Sequence, residues 1–397
     1  ILPDYSAEPG PYRIERVPYM KEPMDCLCDP NVRTAVWLFA ARTTKSQGLI
    51  NILGYHIDQD PAPILMIRPT VDDAQDFSKE RIAPILEDVP ALAAKISEPK
   101  SRESSNTILH KKFPGGYIVM VGANAPRGLR SWDSRIILYD EVDGFPASAG
   151  NEGDPIALAT IRATTFWNSK VVISSTPTVK GESRIETAYE NSTQEQWCVS
   201  CPSCGEFQPY EWQRLLFPQS SLDAYKPGHP VDEARPLEPE MSCAHCGVFH
   251  TEWEWKSQPA KWIARRKHDS CRGFHLNAMA SPFLSWQDLV DEFLDAVKQG
   301  PEKQQVFINT RLAELWEGQG ERVNETLLEK RRHYYDCDVH DRVVWLTAGV
   351  DVQKDRLEAE VVGWGPGGES WGIEYVVIPG DFRYDSTKNA LDEWLQR

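Results

Sequence analysis

The sequence predicts an α/β chain: an open sheet with helices on it, interrupted by a cysteine-bearing insertion and followed by a smaller strand-rich domain. Three observations carry this. Apolar runs of strand length at Val32 to Ala41, Pro63 to Pro69, Ile136 to Tyr139 and Lys170 to Ser174 alternate with helical patterns. Two Cys-x-x-Cys knuckles, Cys201/Cys204 and Cys243/Cys246, follow those runs. A last group, Arg342 to Val350, Leu357 to Trp364 and Glu369 to Ile378, is joined by short turns and reads as a three-stranded meander.

A chain of 397 residues is long for one domain, so two are expected. With 43 basic and 59 acidic residues its net charge is -16, which excludes a surface that is basic all over. Any nucleic-acid contact must come from a local patch, from metal-bridged carboxylates or from partner subunits. No apolar run approaches membrane-spanning length. Four of the nine cysteines have metal-ligand spacing and no secretory signal is present, which points to a reducing cytoplasm. A first residue of Ile1 suggests a fragment.

Residues 1–30 form an arm in which Pro3, Pro9, Pro11 and Pro18 exclude long regular elements. Tyr12 and Arg13 suit a purine base, or simple packing on the core. Met20 to Leu27 fits a short helix. The strand Val32 to Ala41 gives way to Arg42, Thr43, Thr44, Lys45 and Ser46, and an apolar helix follows from Gly48 to Ile57. Strand, tight loop with Lys-Ser, then helix is the context of a phosphate-binding loop, because successive backbone N–H groups at a helix start cradle phosphate. Lys45 would reach the β and γ oxygens, Ser46 would place its hydroxyl on magnesium, and Arg42 would add charge. Thr44 and Phe39 stand where glycines are usual, so an ordinary strand-to-helix turn competes with this reading.

After the strand ending at Pro69, Asp72, Asp73 and Asp76 open a helix running to about Leu86, and a short helix follows near Val89 to Ile96. Thr107 to Lys112 and Gly116 to Gly122 suggest a hairpin. Asn124 to Arg130 reads as a basic loop in which Arg127 and Arg130 face either a phosphate or solvent. Ile136 to Tyr139 then delivers Asp140 and Glu141 at the carboxyl edge of a buried strand, where open α/β sheets place their chemistry. One carboxylate can hold the magnesium of a nucleotide and the other can orient a water; a plain β-turn is the alternative. Residues 154–164 fit a helix from which Arg162 would reach a neighbouring active site. Lys170 to Ser174 ends in Ser175, Thr176 and Pro177. In P-loop ATPases with an additional strand between the nucleotide and carboxylate strands, such a turn senses hydrolysis and passes it on. Three strand-end signals in this order point to an ATP hydrolase of that class.

Cys201, Cys204, Cys243 and Cys246 offer four thiolates, a closed tetrahedral site suited to structural zinc; disulfides are the weaker alternative. Pro218 to Pro239, between the knuckles, reads as a looping insertion. Gly273 to Asn277 fits a short strand, Ser285 caps a helix over Trp286 to Val297, and Val306 to Trp316 fits a second helix. Asp351 follows the first strand of the meander as ribonuclease H-like nucleases begin, and would be the first of several metal ligands, or would only cap a turn. The later ligands of such a cluster are expected beyond Arg397.

SAEPGPYR, AARTTKS, YDEVDGF, SSTPTVKG, CPSCGE, the Gly320 to Arg322 triplet, GVDVQKDRLE and VVGWGPGGES together resemble the large terminase subunit of tailed bacteriophages, in the branch typified by phage lambda. The resemblance spans the whole chain. It implies an ATP-driven translocase of double-stranded DNA joined to a ribonuclease H-like endonuclease that cuts concatemeric genomes in the host cytoplasm. Carried over by motif, Lys45, Ser46 and Arg42 contact nucleotide, Asp140 binds magnesium, Glu141 is catalytic, Ser175 to Pro177 couple, and Asp351 binds magnesium or manganese of the nuclease. It also implies a homo-oligomeric ring, a portal protein and a small terminase subunit as partners.

The resulting division is an arm over residues 1–30, an ATPase domain over 31–316 with a zinc-binding insertion at 198–250, a linker over 317–341 and the start of a nuclease over 342–397. Two rivals remain at this level. A helicase-like or remodelling ATPase would need a second RecA-like domain, and a non-enzymatic zinc scaffold would leave the ordered strand-end motifs unexplained.

Overall fold

A computed structural model describes residues 2, 3, 6, 8–96, 106–225, 236–317, 337–353 and 355–396, in two compact units, Ile1–Gln319 and Gly320–Arg397. The Gly320 to Arg322 triplet, most of the expected linker and part of the Pro218 to Pro239 segment lie outside the described residues.

The first unit is built on strands β1 (Thr34–Phe39), β2 (Pro63–Arg68), β3 (His110–Phe113), β4 (Gly116–Gly122), β5 (Ile136–Asp140), β6 (Lys170–Ser175), β7 (Glu195–Ser200) and β8 (Phe207–Pro209). A separate small sheet holds β9 (Leu215–Leu216), β10 (Glu240–Ser242) and β11 (Phe249–Thr251), and the main sheet is completed by β12 (Ala260–Ile263) and β13 (Cys271–Leu276). The main order is β12-β7-β13-β1-β6-β5-β2-β4-β3, with β8 on β7. From β7 to β4 every neighbouring pair is parallel. All their carboxyl ends therefore share one edge, and β6 lies between β1 and β5. Continuous apolar runs suit these strands because parallel sheets are covered on both faces. Trp37, Phe39, Ile64, Met66, Ile137 and Tyr139 are fully buried, and Phe39 stacks between Trp37 and Trp262.

Several expectations need correction. The helix after β1 begins at Lys45 rather than Gly48 and runs to Asp58. Asn124 to Arg130 is not all loop: Pro126 occupies the first turn of a short helix, Pro126–Arg130, where its missing N–H costs nothing. Helix Trp286–Gln299 is capped as expected, Ser285 and Asp288 forming a capping box. The second helix lies earlier than expected, at Pro301–Phe307 with a π-turn over Ile308–Leu312. It stops because Ala313 turns left-handed at φ 54°, after which Trp316 pairs with Val179. The Pro218 to Pro239 segment contains a helix, Gln219–Tyr225.

The second unit is an antiparallel meander of β14 (Trp345–Val352), β15 (Arg356–Trp364) and β16 (Ser370–Pro379), followed by helix Asp385–Leu395. Its small core is Leu357, Ala359, Ile378 and Trp394. The first strand extends past Val350, so Asp351 lies inside β14, opposite Glu358. No helix is long and apolar enough to cross a membrane among the described residues.

Candidate active site at the carboxyl edge of the sheet

Four strand ends converge here. β1 leads into the Arg42 to Ser46 loop, β5 ends in Asp140, β6 ends in Ser175 and β2 ends in Arg68. Asp140 is opposite Ser174 and Leu38 is opposite Ser175, so the loop, the carboxylates and the polar turn are adjacent by register alone.

The loop achieves with side-chain-bearing residues what glycine usually provides. Arg42 and Thr44 have φ of 61° and 68°, in the left-handed region that disfavours L-residues by about 1–2 kcal/mol each. The Thr43 hydroxyl donates to the Ala40 carbonyl at 2.6 Å and fastens the turn. Thr44 Oγ1 is buried without a hydrogen-bond partner. Lys45 is buried, donates to the Phe39 carbonyl at 3.1 Å and lies 3.4 Å from Glu141 Oε1. Ser46 is half-buried in the first turn of the helix.

Asp140 is fully buried and forms an ion pair with Arg68. Burial pushes its carboxyl above the usual range; Arg68 opposes this, Glu141 adds to it and Lys45 opposes it. One oxygen, Oδ1, has no partner. Glu141 adopts φ 56°, a strained turn that separates it from Asp140, and its Oε2 accepts from the Thr176 N–H at 3.5 Å. Strain of this kind at a strand end is a recurrent mark of functional sites.

Arg68 was not singled out from the sequence, although a lone arginine closing the ILMIR run at a strand's carboxyl end was a usable signal. Asp143 was also missed. Its carboxylate accepts from the hydroxyls of Thr178 at 2.9 Å and Ser183 at 2.6 Å and from the Ile185 N–H at 2.9 Å. Its own N–H donates to Ser175 Oγ at 3.3 Å. It thus links the carboxylate turn to the residues after β6.

The other singled-out residues are more dispersed. Tyr12 packs on the core, and burial pushes its phenol up to about 12 although Asn51, on the helix after the loop, lies near. Arg13 is exposed. Arg127 is exposed, while Arg130 forms an ion pair with Glu152 at 3.0 Å. Arg162 is near the amino end of β5, its carbonyl accepting from Ser134, at the opposite edge from Asp140. Pro177 is buried and Thr176 half-buried beside Glu141. Asp351, in the second unit, is exposed and accepts from Gln353 at 3.0 Å.

The knuckle cysteines do converge. Their four sulfurs lie within 4.8 Å of one another, with Cys201 and Cys246 at 3.8 Å and Cys204 and Cys243 at 3.7 Å. A tetrahedron with zinc–sulfur bonds of about 2.3 Å has edges of about 3.8 Å, so the donor set fits zinc. The N–H groups of Ser203 and His245 point at Cys201 and Cys243 sulfur, at 3.4 and 3.3 Å.

Residues 6–262 match the family model described as phage terminase large subunit gpA, ATPase domain, and residues 271–397 match that of the terminase large subunit gpA, endonuclease domain. The chain is 29% identical to the terminase large subunit of Enterobacteria phage P21, over 98% of this chain and 62% of that protein. It is 30% identical to that of Escherichia phage lambda, over 97% of this chain and 62% of the relative. Among solved structures, the ATPase domain of the Thermus phage P74-26 large terminase is 13% identical with a TM-score of 0.41, covering 77% of this chain and 94% of that one. The large terminase of a second thermophilic bacteriophage is 12% identical, also at 0.41, covering 96% of this chain and 70% of that one.

Proposed function

Because the chain belongs to the gpA family of phage terminase large subunits and spans 62% of the length of its curated relatives, we propose that it carries the ATP-hydrolysing motor of a DNA-packaging terminase together with the start of its endonuclease domain. The observation that carries this is the convergence of Lys45, Asp140, Glu141 and Arg68 on one sheet edge, with β6 between the loop strand and the carboxylate strand.

The residues fit a nucleotide with its magnesium. Thr44 Oγ1 and Asp140 Oδ1 are buried polar atoms lacking partners, beside a loop that opens a helix. Bound magnesium would neutralise charge on the β and γ oxygens. On this reading Lys45 leaves Glu141 for phosphate, Ser46 and Asp140 hold the cation, and Arg42 adds charge at the loop. Arg68 keeps Asp140 oriented. Glu141, freed from Lys45, positions the attacking water and takes its proton. Thr176, hydrogen-bonded to Glu141, registers the change, and Ser175 and Pro177 form the rest of that turn. Exposed Arg127 is better placed than Arg130 to act on a neighbouring copy, since Glu152 occupies Arg130; Arg162, at the far edge, serves its own nucleotide least. Tyr12 and Arg13 contact the base.

Cys201, Cys204, Cys243 and Cys246 hold zinc as a structural site. Asp351 is the first metal ligand of the nuclease, using magnesium or manganese. The packaging reading brings double-stranded DNA, a small terminase subunit, a portal protein and further copies of this chain as partners, in the host cytoplasm. An antiparallel meander in the second unit weighs against a helicase, which needs a second parallel sheet there.

The test is steady-state ATP hydrolysis with magnesium, with and without double-stranded DNA. Glu141→Gln should lower turnover by about 10²–10⁴ while nucleotide still binds. Equal rates in wild type and variant, with no binding of nucleotide and magnesium by either, would remove the assignment.

A further inference from the structure

Residues 308–317 touch both halves of the proposed nucleotide site. The Ala41 N–H, at the start of the phosphate loop, donates to the Thr310 carbonyl at 2.7 Å. On the other side, buried Asn309 donates through Nδ2 to the carbonyls of Thr178 at 2.7 Å and Glu314 at 2.8 Å. Thr178 is held twice more. Its carbonyl accepts from the Trp316 N–H at 2.9 Å, and its hydroxyl donates to Asp143 at 2.9 Å. Lys180 then pairs with Trp316 through its N–H at 3.1 Å and with Glu317 through Nζ at 2.5 Å.

Hydrogen bonds and the backbone between them close a circuit: Glu141 to Thr176, Asp143 to Thr178, Thr178 to Asn309 and Trp316, Thr310 to Ala41, and Lys45 back to Glu141. Nothing in the chemistry of phosphate transfer requires Asn309, yet a buried amide spending both N–H groups on carbonyls from two segments fixes their separation. The left-handed turn at Ala313 and the carbonyl it gives to His275 at 3.0 Å hold the same segment against β13. The chain then leads in sequence to the second unit.

We propose that Asn309 and Thr178 are positioning residues that convert nucleotide binding at the loop into a displacement of Trp316 and Glu317, the last described residues before the second unit. This rests on the nucleotide reading of the site. When Lys45 moves to phosphate, Glu141 is released, the Thr176 and Asp143 contacts shift with it, and Thr178 carries the shift to the 308–317 segment. Coupling through a packed hydrogen-bond circuit of this kind is expected to be worth severalfold rather than orders of magnitude in local opening.

The experiment is amide hydrogen exchange of the chain with and without magnesium and adenosine 5′-(γ-thio)triphosphate, read at residues 40–46 and 308–317. In wild type both segments should change by about threefold or more. Asn309→Asp keeps the shape but removes both donors, and Thr178→Val keeps the shape but removes the hydroxyl. Each should leave the change at 40–46 and abolish it at 308–317, with the KM for ATP unaltered. Asn309→Gln, which keeps the donors, should recover part of the response. Protection at 40–46 with a silent 308–317 in wild type overturns the coupling while sparing the nucleotide reading. Silence at both segments overturns the nucleotide reading and the coupling with it.

Discussion

Replacing Arg68 with methionine isolates the electrostatics of the carboxylate strand. The substitution keeps an unbranched stem near Phe77, over whose ring the guanidinium lies at 4.8 Å, and removes only the charge and its donors. Asp140 would then be fully buried with no cation bonded to it. At an effective dielectric of about 20 and an ion-pair separation of about 2.8 Å the lost attraction is roughly 6 kcal/mol, part of which is offset by the desolvation of arginine. Breaking one side of a buried pair costs about 3–5 kcal/mol, and because Arg68 itself is 18% exposed the low end applies. The expected loss is about 3 kcal/mol near neutral pH. Its pH dependence has a definite sign. Burial already raises the folded carboxyl's affinity for its proton, and without Arg68 that affinity rises further. A group whose folded value is raised destabilises the fold as pH climbs through that value, so the penalty should shrink as pH falls. Urea unfolding of wild type, Arg68→Met, Asp140→Asn and the double variant from neutral to acid pH measures it. A penalty under about 1 kcal/mol at neutral pH, or one that does not fall with acid, refutes the reasoning.

Two further outcomes follow from sites away from the carboxylates. Purified chain should contain about one zinc, lost in Cys243→Ala and on strong chelation, with a lower unfolding temperature in both cases; a zinc-free wild type of equal stability removes the metal assignment. Burial lowers His275 to about 4. Its contribution is therefore present above the unfolded value of about 6.5 and is lost as pH falls toward 4, about 2 kcal/mol in all. His275→Gln, which can still donate to Ala313, should flatten stability over that window; an unchanged slope counts against the buried neutral imidazole.

The strands that position the candidate site were legible because each is an apolar run that gives way to polar or charged residues. That pattern is local, and burial on both faces enforces it. The cysteine convergence was legible because metal-ligand spacing is likewise local. Arg68 showed its place at a strand end but not its pairing with Asp140, and Asp143 and Asn309 showed neither, since each matters through a partner far away in sequence that only the fold brings near. The misplaced second helix has a plain cause. Residues 306–316 have an apolar periodicity, but Pro301 starts the helix earlier and the left-handed Ala313 ends it, so Trp316 serves a bridge instead. Left-handed Arg42 and Thr44 explain the glycine-poor loop: the backbone takes the turn regardless, held by Thr43 and the packed helix behind it.

The position of β13 bears on how the molecule comes into being. β1, which leads into the Arg42 to Ser46 loop, gains one of its two neighbours only from Cys271–Leu276, with Thr34 opposite Cys271. During synthesis the loop strand must wait with one edge bare until the whole cysteine module has left the ribosome, so the main sheet is completed late and from both ends of its unit. The gap between the two family matches, after residue 262 and before residue 271, falls at that join. A fragment cut there would leave bare the edge of β1 that β13 covers, an unpaired strand edge open to pairing with another chain.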